Sequence, residues 1–224
     1  MIDISNLNKS FYILGNKIEV NKDINVCFKS GTLIWIFGNS GAGKSTFLNS
    51  ITGIHDIDNG KVIMDGFPIS DVNNSEKSIF RLNNCGLVFQ FFELIKSLNA
   101  YANASIPLQL LKRDKHDIKK TLDYFFEVFN IESIKQKRPK ELSGGEKQRV
   151  AIIRALCTSP RFLFADEITA SLDMEMSAFI YGYLKEYIKK KNGVGVFVSH
   201  DPIIKDYVDE VYEMKEGRLV RCDI

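Results

Sequence analysis

The continuous apolar run Thr32-Leu33-Ile34-Trp35-Ile36-Phe37 ends abruptly in Gly38-Asn39-Ser40-Gly41-Ala42-Gly43-Lys44-Ser45, and a helical pattern starts near Lys44. An apolar run without alternation predicts a strand buried on both faces, which belongs in the middle of a sheet covered by helices. The segment that follows fits G-x-x-x-x-G-K-[ST]. Glycines let the backbone turn tightly, so that several N–H groups point at one anion. The helix behind them adds the positive end of its dipole. In such a loop Gly38, Asn39, Ser40, Gly41, Ala42 and Gly43 form the cradle. Lys44 reaches β- and γ-phosphates, Ser45 offers a hydroxyl to Mg²⁺, and Thr46 opens the helix. Buried strand, glycine turn and helix together predict a nucleotide-binding α/β unit.

A nucleotide loop of this kind needs an acid for its metal. Phe162-Leu163-Phe164-Ala165-Asp166-Glu167 supplies one at the end of a second buried strand, the end at which an open parallel sheet binds ligands. Asp166 is expected to hold Mg²⁺ through water, and Glu167 to polarise an attacking water.

The rest of the chain fits the same plan. Strands are predicted at Lys17 to Phe28, at Lys61 to Met64 and at Gly86 to Phe89, with further ones at Val194 to Val198 and Glu210 to Met214. From Phe91 to Cys157 helical patterns dominate. Ile118, Leu122, Phe125, Phe126 and Phe129 mark one helix face, and Met176, Phe179, Ile180, Tyr183, Leu184, Tyr187 and Ile188 mark another. Strands alternating with helices imply a sheet with crossovers, interrupted by a helical insertion. Lys189-Lys190-Lys191 before Asn192-Gly193 predicts cations closing a helix that a glycine stops.

Composition excludes several alternatives. Thirty Lys+Arg against 28 Asp+Glu in 224 residues leave a net charge of +2, too even to imply nucleic acid as a partner. No apolar stretch approaches the roughly 20 residues that span a bilayer. Met1-Ile2-Asp3-Ile4 has no basic segment before an apolar core, so a cytosolic chain is expected. The cysteines, Cys27, Cys85, Cys157 and Cys222, form no C-x-x-C pair, and His55, His116 and His200 are too scattered for a histidine metal site.

Leu142-Ser143-Gly144-Gly145-Glu146-Lys147-Gln148 narrows the reading. Ser143 and the two glycines precede a helix and make a second anion-binding N-terminus. One nucleotide needs one cradle, so a second suggests a surface meant for another molecule's nucleotide. With this segment the sequence resembles the ATP-binding subunits of ABC transporters along essentially its whole length. The matching pieces stand in the family's order: the Walker A loop Gly38–Ser45, the Q-loop Gln90, the signature Leu142–Gln148, the Walker B strand ending at Asp166 with Glu167, the D-loop Ser171-Leu172-Asp173, and the switch histidine His200 in Val198-Ser199-His200-Asp201.

The resemblance implies an α/β fold with a P-loop NTPase (RecA-like) core sheet flanked by helices. It adds an N-terminal antiparallel β region and an inserted helical subdomain, residues 91–158 between core segments 1–90 and 159–224. It implies an ATPase using ATP and Mg²⁺, with Glu167 and His200 as the catalytic pair and Ser45, Gln90 and Asp166 at the metal. Ser143, Gly144, Gly145, Gln148 and Asp173 would complete the site of a second subunit, so that a homodimer forms on ATP binding. An integral membrane permease would be the partner, placing the chain peripherally on the inner face of the cell membrane. Phe91, Phe92 and Leu94 suit either the docking of that partner's helix or burial in the subunit's own core. The adenine-stacking aromatic is Phe11 by alignment, with Tyr12 beside it as the alternative. Ile168 departs from the proline usual after the glutamate, so the φ restraint of a proline ring is absent there.

Within the family, Phe89–Leu94, Ala104–Leu108 and Arg138–Ser143 resemble the lipoprotein-releasing, macrolide-exporter and cell-division ATPases. The main expectation is therefore a transporter of the lipoprotein-release or macrolide-export type. The alternatives are a regulatory ATPase of a cell-division-type signalling complex and an amino-acid importer ATPase. A soluble DNA-repair or translation ATPase is disfavoured, because such chains usually carry paired nucleotide domains, long coiled coils or zinc motifs.

Overall fold

The computed structural model describes residues 1–223, so the last residue of the segment 159–224 lies outside it. Two sheets organise the chain. An antiparallel sheet has the order β2-β1-β4, from β1 (Ile2–Ile13), β2 (Asn16–Phe28) and β4 (Asn59–Met64). A six-stranded sheet has the order β5-β6-β7-β3-β8-β9, from β3 (Thr32–Phe37), β5 (Cys85–Val88), β6 (Phe162–Asp166), β7 (Val194–Val198), β8 (Glu210–Lys215) and β9 (Arg218–Cys222). All neighbours in it run parallel except the antiparallel pair β8–β9. The α/β architecture with an N-terminal antiparallel region is the one the sequence predicts.

The central strands are buried on both faces, as their unbroken apolar runs require. Leu33, Leu163, Ala165 and Phe197 enter one core with the helices α3 (Ala100–Leu110), α4 (Lys115–Val128), α5 (Gly144–Leu156) and α6 (Met174–Lys191). Their alternates Ile34, Ile36, Phe162, Phe164, Val194, Val196 and Val198 enter the other, with Phe47, Leu48 and Ile51 of α1 (Lys44–Ile51) and the antiparallel sheet. Side chains alternate between two apolar layers, each large one contributing about 1.5–3 kcal/mol on burial. On α4, Leu122, Phe125, Phe126 and the flanking Phe129 are buried, which is the face their spacing predicts.

Register then decides where the loops meet. Ile36 pairs with Val198 across β3–β7, and Asp166 pairs with the same Val198 across β6–β7. The carboxyl ends of β5, β6, β7 and β3 therefore open on one edge, where Asp166 ends β6 and Gln90, His200 and Gly38 follow the other three.

Three local features differ from expectation. Helix α2 (Asn74–Asn84) has few apolar residues, so its period is weak. Its legible signal is the capping box, in which Asn73 accepts from Glu76 N and Glu76 accepts from Asn73 N. Strand β9 is mostly exposed and carries little hydrophobic pattern. The left-handed residue that ends α6 is Asn192 at φ 49°, not Gly193. Gly193 is required for space instead, since a Cβ there would lie 2.3 Å from Arg161 O.

Candidate active site

The loop between β3 and α1 turns on glycines at φ 145° (Gly38), 77° (Gly41) and 100° (Gly43). A Cβ on Gly43 would meet Asn21 Nδ2 and Val20 O at 2.8 Å. Asn21, from β2, donates its amide to Gly43 O at 3.1 Å and so clamps the loop from behind. Helix α1 has Gly43 as N-cap and no side-chain cap. The N–H groups of Gly41, Gly43, Lys44, Ser45 and Thr46 find no acceptor among the described residues. These are the donors a helix N-terminus ordinarily satisfies with caps or ligand.

They line a cavity of about 380 Å³ walled by Val20, Ser40, Lys44, Gln90, Asp166, Glu167, Ala170 and His200, among others. Lys44 Nζ donates to Gly38 O at 2.7 Å and to Asn39 O at 2.9 Å, and its body is buried. Burial pulls its pKa down, against the opposing charges of Glu167 and Asp166. Burial likewise pushes Asp166 above the usual carboxylate range, opposed by the Ser45 hydroxyl and by Lys44 and His200. Glu167 is raised for the same leading reason.

Glu167 occupies the left-handed region, φ 55°, unusual for a residue with a side chain. Its N–H donates to Val198 O at 2.9 Å, and its Oε2 accepts from His200 N at 3.4 Å. His200 Nε2 stands 3.8 Å from Glu167 Oε1, which is buried without a hydrogen bond. Beside it Ile168 is fully buried in the core. A carboxylate oxygen with unused accepting capacity, beside an imidazole and opposite five open N–H groups, suits the activation of a water near a phosphate.

Among the described residues no cluster of three or more His, Cys, Asp or Glu side chains forms a metal cage. The oxygens of Ser45, Gln90 and Asp166 on the cavity wall nonetheless fit Mg²⁺, a hard cation that keeps several waters and takes few protein ligands.

Other predicted residues lie elsewhere. Phe11 sits edge-on to His55 with ring centroids 5.6 Å apart, carries Lys9 Nζ 5.0 Å from its centroid, and stands outside the cavity wall. Tyr12 is 75% exposed. Ser143 caps α5, and Asp173 caps α6 by accepting from Met176 N at 2.8 Å. Gly144 and Gly145 pack against Ser171 and Leu172, where a Cβ would meet side-chain atoms at 3.2 and 3.1 Å. None of these lines the cavity.

Gln148 lies apart from the cavity. It is fully buried with neither amide atom bonded, because its turn of α5 faces inward with Ala151 and Ile152. Conversely, Val20 and Ala170 line the cavity without any sequence signal, since they contribute position and not chemistry.

Comparison with known proteins adds the family. The ABC transporter family model matches residues 21–170. The methionine import ATP-binding protein MetN of Aliivibrio fischeri is 36% identical over 221 residues, 98% of this chain; the chain spans 64% of that relative's length. The dimeric structure of MJ0796, a bacterial ABC transporter cassette, superposes with a TM-score of 0.94 at 31% identity, covering 98% of this chain and 96% of that one. A dimeric post-hydrolysis state of the same cassette, bound to ADP and Pi, matches with a TM-score of 0.94 at 30% identity over the same shares.

Proposed function

The chain belongs to the ABC transporter family as an ABC ATPase domain, and from that premise we propose that it powers a membrane permease by closing, as a homodimer, on two ATP molecules. The observation that carries this reading is the row of five open N–H groups facing Glu167 across one cavity. The loop amides and Lys44 hold the phosphates. Glu167 takes the proton of the attacking water, and His200 bonds the γ-phosphate and orients that water. Ser45, Gln90 and Asp166 would hold Mg²⁺, which when bound would supply positive charge to the phosphate oxygens. Adenine stacks on Phe11 or on the exposed ring of Tyr12 beside it. Ser143, Gly144 and Gly145 of one copy cover the nucleotide held by the other, with Asp173 in the same contact.

Among the described residues no helix is long and apolar enough to cross a membrane. Gln90 stands between the metal donors and the helical segment 91–158, which suits a lever passing nucleotide state to that partner at the inner face of the membrane. Of the finer readings, amino-acid import has the support of the MetN relatives, whereas the lipoprotein-release reading rests on short sequence stretches alone. We therefore take amino-acid import as the transport type.

The test uses Glu167→Gln protein, which should bind ATP and turn it over only slowly. Size-exclusion chromatography with light scattering at high protein concentration and low salt should give a monomer without nucleotide and a dimer with Mg-ATP. Adding Ser143→Arg should abolish the shift; a dimer that ignores it removes the signature from the interface.

A further inference from the structure

Behind the cavity lies a closed ring of hydrogen bonds that no catalytic role uses. Tyr181 of α6 is fully buried, and its hydroxyl is 2.8 Å from Thr169 Oγ1 and 3.2 Å from Ser199 Oγ. Thr169 Oγ1 donates to Asp201 Oδ2 at 2.9 Å, and Asp201 N donates to Ser199 Oγ at 3.0 Å. Donor counting fixes the direction. The carboxylate only accepts, so the single proton of Thr169 goes to Asp201. Tyr181 must then donate to Thr169, which leaves its oxygen to accept from Ser199. Every hydroxyl gives one proton and receives one, and such chains reinforce each other at low dielectric. Burial pushes the Tyr181 phenol up to about 12, so it remains a donor throughout the physiological range.

The ring joins the two segments that carry the proposed base and switch. Thr169 lies two residues after Glu167, while Ser199 and Asp201 flank His200. Nearby, Trp35 Nε1 donates to Ser199 O at 2.9 Å, anchoring the His200 segment to β3. Glu167 is held at a left-handed φ, its N–H tied to Val198 O, its carbonyl to Ala170 N at 3.3 Å and its carboxylate to His200 N, with Ile168 buried behind it. The ring adds a side-chain tie between this loop and the loop around His200. We infer that Tyr181 is a positioning residue for hydrolysis: its hydroxyl pins the loop after Glu167 to the loop around His200 and thereby sets the spacing of the pair. The inference rests on the proposed roles of Glu167 and His200.

Tyr181→Phe keeps the side chain's volume and removes the bridge from Thr169 to Ser199, leaving Thr169–Asp201 as the direct tie between the loops. Thr169 keeps Asp201, and Ser199 keeps Asp201 N, so the fold should survive. Loss of the hydroxyl's two neutral hydrogen bonds predicts a fall in kcat of about fivefold or more, with ATP affinity by titration unchanged. Thr169→Val should lower kcat in the same way, and Thr169→Ser, which keeps the hydroxyl, should restore it. The double variant Tyr181→Phe/Thr169→Val should fall no further than either single one, because both break the same ring. In a Glu167→Gln background Tyr181→Phe should leave the residual rate alone, an outcome that mere destabilisation would not give. If Tyr181→Phe fails to fold, the Thr169→Val and Thr169→Ser pair reads the same ring. Wild-type kcat in Tyr181→Phe, or equal activity of the two Thr169 variants, overturns the inference. A wild-type protein that does not hydrolyse Mg-ATP overturns the functional reading on which it rests.

Discussion

Two helices of this chain begin on small residues, α1 after Gly38–Gly43 and α5 after Ser143, and they treat their N-termini in opposite ways. At α1 no side chain caps the first turn, and five N–H groups face a cavity walled by Asp166, Glu167 and His200. At α5 a capping box closes the turn, with Ser143 Oγ accepting from Glu146 N at 3.2 Å and Glu146 Oε2 accepting from Ser143 N at 2.7 Å. Hydrogen bonding to Ser143 holds the Glu146 carboxyl below its usual range. The first terminus leaves its donors to a ligand in its own cavity; the second satisfies two, Ser143 N and Glu146 N, and leaves those of Gly144 and Gly145 without an acceptor among the described residues, away from that cavity. The difference teaches that a glycine-rich helix start does not by itself build a complete site within one chain. The sheet makes it one at α1, because β6 and β7 end opposite the loop.

The widest break in that comparison should come from Glu167→Gln. The substitution keeps size and hydrogen bonding but accepts no proton, so kcat should fall by about 10²–10⁴ while nucleotide binding persists. Burial raises the Glu167 pKa, so the acid limb of wild-type kcat/KM should lie above the ordinary value of about 4.3. The raised pKa also means that the unliganded fold binds this proton more tightly than the unfolded chain does. The contribution is full at acid pH and is lost as pH rises through the folded value. Melting curves from acid to neutral pH should therefore show Glu167→Gln losing less stability than wild type. Near-normal hydrolysis by the variant would remove Glu167 as base.

Lys44→Ala should act on the same side with a smaller effect. A charge-assisted bond to phosphate contributes about 1.5–3 kcal/mol, or roughly ten- to a hundredfold in affinity. Calorimetric titration with Mg-ATP reads it, and unchanged affinity would mean that the α1 loop is not the cradle.

The smallest effect belongs to α5. Ser143→Ala removes the cap, which costs about 1 kcal/mol and should lower Tm by about 2–4 °C in a chain of this size. Nucleotide affinity of the isolated subunit should not move, since Ser143 lies outside the cavity wall. A drop in monomer affinity would erase the contrast between the two termini.

The sequence alone determined the chemistry-bearing positions that are also local structure. Lys44 and Ser45 are legible because a glycine turn between strand and helix has few spellings, and Asp166 because it ends an unbroken apolar strand. The face of α4 was legible through its period. Tertiary structure decided what depends on neighbours distant in the chain. Gln148 reads as part of a surface motif, yet the packing of α5 turns it inward. Asn21 clamps Gly43, and Val20 walls the cavity, only because β2 crosses behind the loop. The ring through Thr169, Tyr181, Ser199 and Asp201 gathers residues from three segments, each ordinary in its own stretch of sequence. Local spacing carries backbone propensity and periodicity, whereas a buried polar contact is fixed by register between strands and by the helix packed across them.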